Sequence, residues 1–263
     1  MILCSGSNVS EQTQGVYTVM RILVIIPCFN EEKSIHDVID NIMRHAENDF
    51  TYNMEIDYLV INDCSTDSTL QMLQENRFHF LNLPVNLGIG GCMQAGFLYA
   101  HEKGYDIAIQ HDGDGQHDVA FFADVIGPIK NGEADIVIGS RFIENEGFQS
   151  SGIRRLGINL LSGIIKICTG RKLNDVTSGY RAINKKYIKF FSMNYAQDYP
   201  EPESIVDAIR NGAVICEVPV IMQERKEGKS SIGALKSVYY MIKVSLAILL
   251  HRVIISQRTP EDS

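Results

Sequence analysis

The chain alternates short apolar runs with segments in which apolar residues recur with a helical period. The first run, residues 21–27, is rich in β-branched and aliphatic side chains, which is typical of a strand covered on both faces in a parallel sheet. In the segment that follows, Ile35, Val38, Ile39 and Ile42 have the i, i+3, i+4, i+7 spacing of a helix with one buried face. This pattern predicts a strand, a loop and a helix in succession.

The same unit recurs along the chain. Further strands are predicted at 56–63, 78–83, 105–112, 134–140 and 213–220, and the first three of these run into helical segments. Helices are also predicted over 153–170 and 205–210, with loops over 173–184 and 198–204. Strands that alternate with helices indicate an α/β fold with a mostly parallel central sheet, and ligands that bind at the carboxyl ends of the strands. Because the chain has no linker-like or repeated segment, a single domain is expected.

The two ends of the chain depart from this pattern. Residues 1–19 lack a basic segment followed by an apolar one, so they are not a signal peptide, and a disordered extension is expected before a domain at 20–231. Residues 232–256 predict an amphipathic helix with Lys236 and Lys243 off its apolar face. That apolar face contacts a membrane surface, the core or a second copy of the chain. Because the chain has no run of 18 apolar residues, no conventional membrane span is expected.

Charge and cysteine content narrow the class of protein. The formal net charge of −8 argues against a nucleic-acid partner. Basic residues are concentrated near the C-terminus, where residues 225–258 carry seven of them against the single acid Glu227. The six cysteines form no C-x-x-C pair, which is typical of reduced thiols in a cytoplasmic protein rather than of disulfides or a zinc site.

Carboxylates crowd the loops after three predicted strands, in PCFNEE (27–32), NDCSTD (62–67) and HDGDGQH (111–117). One such loop is most simply a solvated surface, but these three converge at the same edge of a parallel sheet. Glycines beside Asp112 and Asp114 let the backbone turn both side chains toward one point. Two carboxylates at this spacing suit Mg²⁺ or Mn²⁺, with Gln116 or His117 as a further ligand. A zinc site on His111 and His117 lacks a third nitrogen or sulfur ligand nearby.

Six motifs occur in a fixed order: P-x-F-N-E, D-x-S-x-D, D-G-D-G-Q-H, G-S-R, DVTSGYR, and EVPV with ERKEGKSS. This order resembles the GT-A glycosyltransferases of family 2, in particular the branch that includes dolichyl-phosphate mannose synthase and related polyprenyl-phosphate sugar transferases. The resemblance covers residues 21–233. It implies a GT-A fold and a metal-dependent, inverting transfer of a sugar from a nucleoside-diphosphate sugar to a lipid-linked polyprenyl phosphate or a glycan acceptor.

The resemblance also assigns the donor-binding residues. It implies that Pro27, Asn30 and Glu31 hold the nucleoside and that Asp63 accepts a hydrogen bond from the base, which suits a buried carboxylate. The alternative for Asp63 is an N-cap of a helix over 65–75. Gly88 begins a glycine-rich stretch that lacks the full dinucleotide fingerprint, and these glycines are expected to let loop and helix pack closely beside the donor.

The remaining assignments concern the phosphates and the metal. The resemblance implies that Asp112, Asp114 and Gln116 bind the cation, with Asp114 counted among the catalytic residues because the cation stabilises the departing diphosphate. The resemblance also places substrate-binding side chains at Arg141, Asp175, Ser178, Arg181 and Arg225. Planar guanidinium groups suit the donor and acceptor phosphates among these contacts.

The acceptor decides whether a catalytic base is needed. A hydroxyl acceptor requires a carboxylate base, for which Asp198, Glu201 and Glu203 are the candidates, although Glu201 and Glu203 equally suit a helix entry. A polyprenyl phosphate is already an anion and requires surrounding cations, for which Arg154, Arg155, Arg171, Lys172 and Arg225 are available. The rival functions are a sugar-nucleotide nucleotidyltransferase and a non-catalytic nucleotide-binding module. The expected location is the cytoplasm or, for a lipid acceptor, the inner face of the membrane.

Overall fold

The computed structural model describes residues 19–48, 54–144, 152–223, 243–246 and 248. A single sheet organises the described part of the chain. Its strands are β1 (Met20–Cys28), β2 (Met54–Asn62), β3 (Phe80–Asn82), β4 (Ile107–Gln110), β5 (Ile136–Ser140), β6 (Arg181–Asn184) and β7 (Ile215–Pro219). The helices are α1 (Ile35–Asn48), α2 (Thr69–Glu75), α3 (Gly88–Glu102), α4 (Phe122–Lys130), α5 (Gly152–Thr169), α6 (Lys185–Met193) and α7 (Pro200–Arg210), with a 3₁₀ turn at Val119–Phe121.

The strand order in the seven-stranded sheet is β3-β2-β1-β4-β6-β5-β7. β6 runs antiparallel to both of its neighbours, and the other strand pairs are parallel. The predicted α/β class, mostly parallel sheet and single domain are therefore confirmed. Because β1 lies between β2 and β4, the loops that follow these three strands meet at one edge of the sheet.

The core lies on both faces of the central strand. Residues 22–26 of β1 are fully buried, and alternate side chains enter two separate hydrophobic clusters on opposite faces. The predicted helix stripe of Ile35, Val38, Ile39 and Ile42 is also buried, in the same cluster as Ile22, Val24 and Ile26. Burial on both faces thus fixes the position of β1 in the sheet, and with it the point at which the loop after β1 begins.

Two predictions around the second half of the sheet are wrong. Residues 173–184, expected to be a loop, contain the antiparallel strand β6, and the helix α6 that follows it was not predicted. Four residues are too few to show a strand period, so only the pairing of β6 with β4 and β5 defines it. Residues 198–204, expected to be an acidic loop, contain the start of α7, because Pro200 suits the first helical position and Glu201 and Glu203 suit the positive end of the helix.

Glycines bring α3 against its neighbours. A Cβ atom on Gly90 would lie 2.5 Å from the carbonyl oxygens of Ala196 and Gln197, and one on Gly96 would overlap the Ile25 side chain of β1. The expected close packing of loop and helix is therefore confirmed at Gly90 but not at Gly88, where an added Cβ would have no neighbour within 4 Å, and a position beside the donor stays a prediction. The contact at Gly96 seats α3 directly on the central strand.

We expect Gly96→Ala to lower the free energy of unfolding by about 1–3 kcal/mol, because the added methyl must displace a fully packed isoleucine. Urea unfolding measures the difference. The matched control is Gly163→Ala on α5, where an added Cβ would have no neighbour within 4 Å. The control should be neutral or stabilising by up to about 1 kcal/mol, since alanine favours a helix over glycine. Equal losses for both variants would contradict the packing account.

The two predicted terminal segments lie largely outside the described residues. Nothing in the structure tests the expected extension, apart from the start of β1 at Met20. In the predicted C-terminal helix, residues 243–246 and 248 are helical, and Val244 and Ile248 are buried in the core. This helix therefore packs on the core, but not through the predicted face, since Leu246 belongs to the predicted apolar face and is 54% exposed, whereas Val244 and Ile248 lie off that face. Within the described residues, no helix is long and apolar enough to cross a membrane.

Candidate functional site

Hydrogen bonds join the loops that follow β1 and β2. The Asn30 side-chain oxygen accepts the Thr66 backbone N–H at 2.8 Å, and the Asn30 backbone N–H donates to the Ser65 hydroxyl at 3.0 Å. The Glu31 N–H donates to the Thr69 hydroxyl at 3.0 Å. Asn30 adopts the left-handed conformation (φ 58°), which asparagine tolerates better than most residues. Two of the three predicted nucleoside-binding residues, Asn30 and Glu31, thus hold the first loop against the second.

Asp63 ties these loops to the start of α3. Its two carboxylate oxygens accept the backbone N–H groups of Leu87 and Gly88 at 2.7 and 2.8 Å, and its side chain is buried. The alternative of an N-cap for a helix over 65–75 is wrong, because α2 begins only at Thr69, whose N–H donates to Asp67. The expected contact of Asp63 with the donor base stays a prediction.

The turn after β4 presents Asp112 and Asp114. The backbone N–H of Asp112 donates to Nδ1 of His117 at 3.0 Å, and Oδ1 of Asp114 accepts the Gln116 N–H at 3.0 Å. Gly115 has φ 77°, a conformation that favours glycine. The turn therefore closes on itself and leaves the Asp112 side chain 35% exposed.

The ligand atoms that this turn offers indicate which metal ions suit it. In the described parts of the chain, no three His, Cys, Asp or Glu side chains form a ready metal site, so the zinc alternative gains no support. Mg²⁺ and Mn²⁺ need less from the protein, because Mg²⁺ commonly takes one or two carboxylates and completes its shell with water and substrate phosphate. The pair Asp112 and Asp114 fits that requirement. The Gln116 amide donates to the Gln223 carbonyl at 3.3 Å, and its role as a ligand stays a prediction.

A cleft of about 660 Å³ lies between the turn after β4 and the beginning of α1. Of the predicted site residues, Asn30, Glu31 and Asp114 line it. Its lining is strongly acidic, with carboxylates at Glu31, Glu32, Asp37, Asp67, Asp114 and Asp118. Bringing a diphosphate next to such a field requires a cation, because like charges repel strongly at short range.

Three arginines are predicted to contact phosphate, and the two that the structure describes, Arg141 and Arg181, both bond to other protein groups. Arg141 is buried against Asp175, with its Nε 2.7 Å and its terminal nitrogen 2.6 Å from the two carboxylate oxygens. Arg181 donates to the Ser178 carbonyl at 2.7 Å and to the Glu201 carbonyl at 2.9 Å. These bonds join the segment before β6 to β5 and to α7. Contact of either arginine with phosphate stays a prediction, and Arg225 lies outside the described residues.

The three candidate bases have different surroundings. Asp198 is 72% exposed and pairs with Lys243. Burial raises the pKa of Glu203, and the nearby Asp207 and Asp198 raise it further. Burial raises the pKa of Glu201 too, while the Arg181 charge lowers it and the Asp112 charge raises it. Glu201 is therefore the candidate whose protonation is coupled to the Asp112 turn.

From the sequence, Tyr180 has no predicted role and His117 is considered only as a metal ligand, but the two rings are in contact beside the turn. The His117 ring stacks on Tyr180, with centroids 4.7 Å apart and planes within 11°. Burial lowers the pKa of His117 to about 4, so the ring is neutral at physiological pH. A histidine five residues after Asp112 was visible in the sequence, but its partner Tyr180 is 63 positions further on, and no local signal links them.

The sequence profile described as Glycosyl transferase family 2 matches residues 23–191. The chain is 31% identical over 219 residues to UDP-N-acetylglucosamine–dolichyl-phosphate N-acetylglucosaminyltransferase of Methanococcus voltae, covering 76% of this chain and 84% of that one. It is 27% identical over 246 residues to polyprenol monophosphomannose synthase of Mycolicibacterium smegmatis, covering 89% of each chain. Each alignment covers most of this chain and most of the relative.

Solved structures share the fold. Glucosyl-3-phosphoglycerate synthase of Mycobacterium tuberculosis, in complex with Mn²⁺, UDP and glucosyl-3-phosphoglycerate, superposes with a TM-score of 0.65 at 21% identity, covering 89% of this chain and 80% of that one. The same enzyme with Mg²⁺ and UDP gives a TM-score of 0.63, at 21% identity and with 89% and 79% of the two chains covered. Together with the sequence matches, this shows that the chain belongs to glycosyltransferase family 2 and is a glycosyltransferase with a GT-A fold.

Proposed function

We propose that this enzyme transfers a sugar from a nucleoside-diphosphate sugar to a polyprenyl phosphate, in a metal-dependent reaction that inverts the anomeric carbon. The observation that carries the proposal is the closed turn at the end of β4, which contains Asp112 and in which Asp114 lines an acidic cleft. The assignment of a polyprenyl phosphate acceptor is supported by the relatives in Methanococcus voltae and Mycolicibacterium smegmatis, whose names contain dolichyl phosphate and polyprenol monophosphomannose.

The donor binds at the edge where the loops after β1, β2 and β4 meet. Asp112 and Asp114 would hold Mg²⁺ or Mn²⁺, with Gln116 as a further ligand. The cation, when bound, neutralises the charge that develops on the departing nucleoside diphosphate. Asn30 and Glu31 hold the loop after β1 against the loop after β2, and Asp63 holds the second of these loops against the start of α3, so that the nucleoside meets a rigid surface. Rigidity limits the entropy lost when the donor binds.

The transfer step is a direct displacement. An oxygen of the acceptor phosphate attacks the anomeric carbon, the bond from that carbon to the diphosphate oxygen breaks, and the nucleoside diphosphate leaves with the electron pair. No proton has to be removed, because the acceptor phosphate is already an anion. The chain therefore needs cations at the acceptor rather than a base. Arg155 on α5 is one candidate for such a cation, and its guanidinium carbon lies 3.4 Å from the centre of the Phe142 ring.

Residues 152–173 support an anionic acceptor. They contain five basic residues and no acid in a chain of net charge −8. A glycan acceptor would instead need a base, and Glu201 is the best placed because its charge is coupled to that of Asp112. We locate the reaction at a membrane surface, since a polyprenyl phosphate is a lipid.

Transfer assays with UDP-, GDP- and dTDP-sugars and Mn²⁺ distinguish these acceptors. Each donor is incubated with a short-chain polyprenyl phosphate and, as the matched control, with the corresponding polyprenol. We expect transfer from one donor class to the phosphate and not to the alcohol. Transfer to the alcohol or to a glycan would contradict the acceptor assignment. Tight nucleotide binding without turnover on any acceptor would instead favour a non-catalytic module.

A further inference from the structure

His117 contacts Asp112 through both of its ring nitrogens. Nδ1 accepts the Asp112 backbone N–H at 3.0 Å. A nitrogen that accepts a hydrogen bond carries no proton, so the neutral ring carries its proton on Nε2. Nε2 lies 3.5 Å from Oδ2 of the same aspartate. One ring therefore faces both the backbone and the carboxylate of a predicted metal ligand.

Tyr180 fixes the plane of this ring. It is fully buried, stacks on His117, and donates its hydroxyl to the Asp118 carbonyl at 2.8 Å. Its backbone carbonyl accepts the Gly139 N–H at 2.8 Å, which connects it to β5. Tyr180 is thus fixed by β5 at its backbone and by Asp118 at its hydroxyl, and the His117 ring stacks on it.

Gly179 leaves room for the Asp112 carboxylate. A Cβ atom at position 179 would lie 3.3 Å from Oδ2 and 3.4 Å from Oδ1 of Asp112, closer than side chains normally pack. The Asp112 carboxylate therefore lies close to both the His117 ring and Gly179. These two neighbours limit the orientations open to it.

We propose that His117 is a positioning residue, held by Tyr180, that sets the orientation in which Asp112 receives the divalent cation. The inference rests on the proposed function, because it takes Asp112 as a metal ligand. Side chains that orient a ligating group are worth about 10–100-fold in metal affinity or activity in metalloproteins. His117 would act on the cation only through Asp112.

Mn²⁺ binding to the full chain, followed by the electron paramagnetic resonance signal of free Mn²⁺ in the presence of UDP or GDP, tests the inference. His117→Phe keeps a ring that can stack on Tyr180 but lacks both nitrogens, and we expect it to weaken Mn²⁺ binding about 10–100-fold. His117→Asn places an amide oxygen where Nδ1 accepts the Asp112 N–H, so it should recover part of the loss. The matched control is His79→Phe, which replaces an exposed histidine beside the edge strand β3 and should bind Mn²⁺ as the wild type does.

The outcomes separate this inference from the proposed function. Wild-type affinity in both His117 variants, with or without a lower melting temperature, would show a purely structural histidine and overturn the inference. If His117→Phe does not fold, His117→Asn alone decides, because a positioning role requires weaker Mn²⁺ binding at an unchanged melting temperature. Failure of the wild-type protein to bind Mn²⁺ with either nucleotide would overturn the donor site itself, and the inference with it.

Discussion

Asp114→Asn should reduce kcat/KM for sugar transfer by roughly 10³-fold, the scale at which removing one charge-stabilising group acts in other enzymes. Asp114 is only 7% exposed, and its Oδ1 accepts the Gln116 N–H. Asparagine keeps the shape and that hydrogen bond but loses the negative charge. The loss should therefore fall on cation binding, and through it on the departure of the nucleoside diphosphate. Steady-state kinetics at several Mn²⁺ concentrations measure it.

Asp124→Asn is the matched control for this variant. Asp124 is an exposed carboxylate in the first turn of α4, ten residues further along the chain. It should retain wild-type kinetics, since it lies outside the acidic cleft. If Asp114→Asn also retained wild-type kinetics while folding normally, the metal assignment would be wrong.

Asp175→Ala should lower the free energy of unfolding by about 3–5 kcal/mol, the usual cost of removing one partner of a buried ion pair. Both Asp175 oxygens face the Arg141 guanidinium, and both side chains are buried. The variant removes the carboxylate that balances this charge. Urea unfolding at neutral pH gives the difference.

Lys185→Ala provides a control on the surface. Lys185 pairs with Asp106 at 2.9 Å, but the lysine side chain is 63% exposed, so its loss should cost at most about 1 kcal/mol. The double variant Arg141→Met with Asp175→Leu should recover part of the loss seen with Asp175→Ala, because it leaves no buried charge. A loss at Asp175 no larger than that at Lys185 would contradict a structural role for the buried pair.

Features with a local signal could be predicted from the sequence. The apolar run at 21–27 and the apolar stripe from Ile35 to Ile42 lie at the centre of the fold. Because these side chains are buried, the spacing of apolar residues in the sequence follows the strand and the helix. The convergence of the acidic loops follows from a general rule about parallel strands, so the edge of the sheet that carries Asp112 and Asp114 could be named before the fold was known.

Features set by distant partners could not be predicted. Arg141 and Asp175 are 34 positions apart, and neither residue type indicates that the two are buried against each other. The partners of Asp63 could not be predicted either, because its two carboxylate oxygens accept hydrogen bonds from N–H groups 24 and 25 positions away. β6 was missed for a related reason, since four residues become a strand only through the pairing partners they meet.

These long-range bonds change the meaning of several predicted site residues. The sequence predicts Asn30, Asp63 and Arg181 as ligand contacts, whereas in the structure each one connects two segments around the site. A residue that builds the wall of a site and one that touches the substrate have the same sequence signature. Only kinetics with conservative variants, compared with their stabilities, separates the two roles.

The central claim is that the turn after β4 joins a divalent cation to the diphosphate of the donor. A crystal structure with Mn²⁺ and UDP or GDP bound, with anomalous diffraction from manganese, tests it most directly. We expect an anomalous peak about 2.0–2.3 Å from an Asp114 oxygen, shared with Asp112 and with a diphosphate oxygen. A nucleotide bound away from this turn, or one bound there with its diphosphate neutralised by arginines alone, would contradict the account.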